Sequence, residues 1–98
     1  MPTDIRVVAI LKFKAGKKDA VAAAIRGCLQ PSRAEPGCLF YVPHWDKEDD
    51  QRVVFVEHWR SQDDLDKHMQ TPHFSALIEK LDGLLDGAPD IRTLTEFE

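Results

Sequence analysis

Histidine is the side chain whose ordinary pKa lies nearest neutrality, which makes it the first candidate for moving protons. The chain has four, His44, His58, His68 and His73, all within residues 37–77, together with both tryptophans and the single tyrosine. His68 falls on the inner side of a short helix, beside Leu65 and Met69. There it suits a general base or a donor to a bound ligand. The alternative is a hydrogen-bonded imidazole that shapes the fold. Trp59 offers a flat apolar wall and an indole N–H, or else fills the core at a strand end. Glu57 lies two residues earlier on the same strand face, a carboxylate among apolar neighbours that needs a partner. An ion pair or a cap is expected, orientation of a histidine being the alternative. Tyr41 and His44 are candidates to give a ligand oxygen a hydrogen bond, although a surface position would serve His44 equally well. Phe74 adds an aromatic ring to the same apolar surroundings. His58 alternates to the face opposite Trp59, toward a partner subunit if Trp59 faces a pocket. His73 opens a helix and is expected near a subunit contact.

Other chemistries find little support. His68 and His73 are five residues apart across a helix break, and neither HxxxH nor HExxH occurs, so no metal site is expected. Cys28 and Cys38 form no CxxC and read as buried thiols. There is no glycine-rich phosphate loop and no serine nucleophile motif. A net charge of −4, with both signs interspersed, argues against nucleic acid and against a basic membrane anchor. The apolar N-terminal run is broken by Arg6 and Lys12, so neither a signal peptide nor a membrane span is expected and the cytoplasm is the default location.

These residues must be held by a domain of 98 residues, a size that often gains stability by self-association. Residues 5–14 read as a strand whose near-continuous apolar run, Val7 to Leu11, suits the middle of a sheet covered on both faces. Residues 17–33 form an amphipathic helix with Val21, Ala24, Ile25, Cys28 and Leu29 in one stripe. Pro31 predicts a break or kink before Glu35. Glu35-Pro36-Gly37 is a turn signal. Residues 38–45 and 51–60 are rich in β-branched and aromatic side chains and flank an acidic loop, a hairpin. Ser61 caps a short helix with Asp63 and Asp64 in its first turn. Thr71-Pro72 starts another, whose stripe is Phe74, Leu77, Ile78 and Leu81. Residues 91–97 alternate as a last strand. The order β-α-β-β-α-α-β is the ferredoxin-like α+β arrangement, a four-stranded antiparallel sheet with helices on one face. The other face would be left apolar and wet, and a second copy is its simplest cover.

Pro36-Gly37-Cys38 before an aromatic strand, Glu57-His58-Trp59 at the end of the next, then Leu65, His68 and Thr71-Pro72-His73-Phe74, resemble the antibiotic biosynthesis monooxygenase family, nearest its small quinol monooxygenases. The resemblance covers nearly the whole chain as one such domain, 1–98. It implies a homodimeric α/β barrel with a pocket in each subunit between sheet and helices. Some relatives oxidise quinols or similar aromatics with molecular oxygen and no cofactor; the same reaction on a quinol or similar phenolic is the reading adopted for this chain, with His68 as base or donor and Trp59, Tyr41, His44, Glu57 and Phe74 as candidates around the substrate. Relatives that degrade haem carry an asparagine on the first strand and a tryptophan and a histidine further on. This chain has no asparagine, and His68 and Ile78 stand at the other two places, so haem degradation is not expected. A non-catalytic dimeric module for small molecules or stress, and an isomerase of a small metabolite, are the alternatives.

Overall fold

A computed structural model describes residues 3–98. The elements follow as β1 (Ile5–Lys12), α1 (Lys18–Arg33), β2 (Cys38–Trp45), β3 (Arg52–Trp59), α2 (Gln62–Met69), α3 (Pro72–Leu81) and β4 (Asp90–Leu94). The strands form one sheet in the order β2-β3-β1-β4, every neighbouring pair antiparallel. This is the ferredoxin-like α+β fold expected from the element order.

The apolar run of β1 does put it inside the sheet, between β3 and β4. The chain's own helices cover only one of its faces. Ile5, Val7, Ala9 and Leu11 are buried beneath them, whereas Arg6, Val8 and Ile10 on the other face stay half-buried. The register carries this inner face across the sheet. Ile5, Val7, Ala9 and Leu11 stand opposite Trp59, Glu57, Phe55 and Val53 of β3, and Tyr41 of β2 stands opposite Glu57. The β2–β3 register shifts between Cys38 and Phe40, a bulge that leaves Leu39 unpaired at the edge of the sheet.

One boundary differs from expectation. β4 closes at Leu94 instead of residue 97, its pairing ending opposite Arg6, one residue from the start of β1. The break that Pro31 predicts before Glu35 is present, as the end of α1. α1 runs on to Arg33, where Ala34 N–H still reaches Gln30 O at 3.0 Å. A proline in the last turn removes one bond of a ladder that is ending anyway.

Candidate functional site

Three short pieces of chain converge beneath α2. The first is the turn after α1. Cys38 N–H donates to Glu35 O at 3.0 Å, and Arg60 N–H donates to Gly37 O at 2.9 Å, which ties the turn to the end of β3. Gly37 lies so close to Asp64 that a Cβ there would collide with the Asp64 side chain. The second piece is α2. Ser61 Oγ accepts from Asp64 N–H at 3.2 Å and donates to Asp64 Oδ2 at 2.9 Å, fixing the first turn. The third is the corner between α2 and α3. Thr71 Oγ1 donates to His68 O at 2.7 Å and accepts from Phe74 N–H at 3.2 Å, so one hydroxyl ends α2 and caps α3. With Pro72 at the first helical position, this corner fixes where His68 and His73 stand relative to each other.

The convergence brings two imidazoles to one carboxylate. His68 Nδ1 lies 2.7 Å and His73 Nε2 2.8 Å from the same oxygen, Glu35 Oε2. An ionised carboxylate only accepts, so both ring nitrogens are the protonated, donating ones. His68 is thereby held as the Nδ1–H tautomer, with Nε2 left as an acceptor that takes no hydrogen bond from the described residues. Its ring lies against Trp59 at 4.6 Å, centroid to centroid, and meets Tyr41 and Phe74 edge to face with centroids at 5.4 and 5.2 Å. Burial lowers the pKa of His68, and the Glu35 carboxylate opposes that only in part. The neutral, proton-accepting form is therefore favoured.

Among the described residues Glu57 makes no ion pair. Its Oε1 accepts from the Trp59 indole N–H at 2.8 Å. Burial pushes its pKa up to about 7, the Trp59 hydrogen bond opposes the rise, and the charge of Glu35 adds to it. A carboxyl that holds its proton up to about pH 7 thus lines the same cavity as the neutral imidazole of α2, the divergence of pKa values that separates an acid from a base.

A cavity of about 880 Å³ opens between the sheet and α2–α3. Tyr41, Glu57, His68 and Phe74 line it, among Val7, Phe55, Leu77 and other apolar side chains. Its charged lining residues are Glu57, Glu79 and Asp82; among the described residues no lysine or arginine reaches it. Two of the expected site residues are not on its wall. Trp59 is fully buried behind His68, and His44 is exposed on the opposite sheet face, opposite Val54. Tyr41 contributes its ring, since its hydroxyl lies 3.7 Å from Cys28 Sγ on α1. His58 also faces away, 2.7 Å from Asp4. His73 takes part in the cluster through Glu35. Glu35 was not foreseen at all: its sequence context signals a turn, and His68 is 33 residues further on.

The donor atoms of Glu35, His68 and His73 lie within 4.8 Å of one another, and this set is able to take a metal ion. The spacing of the two histidines does not reveal the cluster, because its third member comes from a remote turn.

An antiparallel α+β sheet with a histidine-bearing apolar cavity under its helices defines a ferredoxin-like small-molecule pocket. Residues 4–80 match the family described as antibiotic biosynthesis monooxygenase, and the chain belongs to that family. It is 38% identical over 88 residues to the protein sll1783 of Synechocystis, matching 90% of this chain and spanning 60% of that relative's length. It is 30% identical over 74 residues to Rv0793 of Mycobacterium tuberculosis, whose name proposes a monooxygenase; the match covers 76% of this chain and 72% of that one. Among solved structures, PA3566 of Pseudomonas aeruginosa superposes with a TM-score of 0.91 at 31% identity, covering 100% of this chain and 98% of that one.

Proposed function

We propose that the protein is a monooxygenase that needs no cofactor and oxidises a neutral phenolic aromatic, of the quinol type, with molecular oxygen. The observation that carries this reading is an apolar cavity without a cation, into which one histidine brings an unpartnered ring nitrogen. His68 Nε2 accepts the phenolic proton. The resulting anion is electron-rich enough to pass one electron to oxygen, and the radical pair joins at a ring carbon. Loss of water from the ring hydroperoxide leaves a carbonyl. For a hydroquinone the balance is quinol plus O₂ giving hydroxyquinone plus water, with no external reductant. Glu35 acts as a positioning residue that fixes the His68 tautomer, and Glu57 offers a hydrogen bond to a substrate oxygen. Tyr41 and Phe74 supply flat walls, and Trp59 supports the imidazole from behind.

The working unit of this proposal is a homodimer. Phe40, Val56 and Leu94 are 46%, 37% and 46% exposed on the sheet face without helices, and burying them against a second copy is favourable. An isomerase would use the same His68 without oxygen. The acidic lining disfavours phosphorylated metabolites as its substrates.

The deciding experiment is oxygen uptake by metal-stripped protein over a panel of quinols, with His68→Ala beside the wild type. Uptake above the uncatalysed rate that disappears in the variant is expected. Equal rates in both, or product formed without oxygen consumption, would overturn the reading.

A further inference from the structure

We propose that Glu35, His68 and His73 form a binding site for a divalent transition-metal ion of zinc's kind. Two imidazoles and one carboxylate are a ligand set that zinc takes readily, with the fourth position left for water or a ligand. The ligands come from three separate elements and are shielded, their side chains 14%, 3% and 19% exposed for Glu35, His68 and His73. No lysine or arginine among the described residues pairs with Glu35, whose only ionic partners are the two imidazoles. Its negative charge is therefore available to a cation.

The distances suit the exchange. Zinc holds nitrogen and oxygen ligands at about 2.0–2.2 Å, which sets tetrahedral donors about 3.3 Å apart. The two nitrogens now stand 2.7 and 2.8 Å from Glu35 Oε2. An opening of about half an ångström at each, with the two nitrogens, which lie within 4.8 Å of each other, settling at the same spacing, admits the ion by side-chain torsions. The ion takes the place of the proton on His68 Nδ1 and of the proton on His73 Nε2, and each ring regains its single proton from solvent on its other nitrogen, a change of tautomer with no net release. A neutral, metal-bound His68 then carries its one proton on Nε2 and no longer accepts one there. Zinc would consequently silence the base; that consequence rests on the function proposed above, whereas binding itself does not.

Zinc chloride titrated into the metal-stripped full chain, followed by calorimetry and by competition with a chromophoric chelator, tests the site. The expected result is about one ion per chain, with affinity falling roughly tenfold or more in Glu35→Gln and again in His73→Gln. His44→Ala and His58→Ala should leave it unchanged. No saturable binding at micromolar zinc, or binding unaltered in the Glu35→Gln/His73→Gln double variant, would overturn the proposal. Should the variants fold poorly, wild-type imidazole NMR signals decide. Zinc must shift those of His68 and His73, and shifts confined to His44 or His58 would also overturn it. Zinc that binds as described without reducing oxygen uptake supports the site and counts against His68 as base.

Discussion

Glu57 keeps a proton at a pH where an unfolded glutamate has lost it. Its native pKa of about 7 lies above the ordinary 4.5 because the group is buried, and the sign of the effect on stability follows. Above pH 4.5 the unfolded chain ionises this carboxyl freely while the folded chain retains the proton, so stability drains away as pH rises and levels off once the native group has ionised too. Glu57→Gln keeps the shape and removes the titration. Urea unfolding should show the variant gaining about 2 to 3 kcal/mol on the wild type between pH 5 and pH 8. Parallel profiles would mean that the carboxyl is ionised in the fold. Residue types and alternation were enough to put Glu57 and Trp59 on one strand face. That the two satisfy each other, Oε1 to indole N–H, depends on rotamers that no alternation pattern contains.

At the scale of elements, the site depends on two joints. Gly37→Ala forces a methyl group into Asp64, and overpacking of that kind costs about 1–3 kcal/mol. It should also push Glu35 away from His68. Denaturant unfolding measures the first effect, and loss of the hydrogen-bonded His68 Nδ1–H proton signal reports the second. Thr71→Ala removes the cap of α3 and should cost about 1 kcal/mol, seen as a lowered denaturant midpoint. Both joints were partly legible. Ser61, Thr71-Pro72 and Pro36-Gly37 each carry a local mechanism, and the elements begin and end close to them. The end of β4 was not legible, because a strand lasts only as long as its partner does. Nor was Glu35, because a turn residue's partner is chosen by the packing of α2 against that turn.

For the whole molecule, the decisive asymmetry is between the two faces of the sheet. The face that bears His68's cavity is roofed by α2 and α3, whereas Phe40, Val56 and Leu94 on the other look outward. If two subunits join there, a charge at the centre of that face should separate them and leave the cavity intact. Val56→Asp should halve the mass seen in sedimentation while His68 and Glu35 keep their hydrogen bond. A wild type that sediments as a single subunit at high concentration would remove the dimer from the proposal.

Trp59 and Trp45 live in opposite surroundings. Trp59 is sealed from solvent against the His68 ring, and Trp45 is 44% exposed with Lys18 Nζ 4.7 Å above its ring. The chain thus carries two lamps of different colour: a blue-shifted emission from the dry indole and a red-shifted one from the wet. A cation or a proton arriving on the neighbouring imidazole should dim the blue component and leave the red one steady, so occupancy can be followed by light with no label attached.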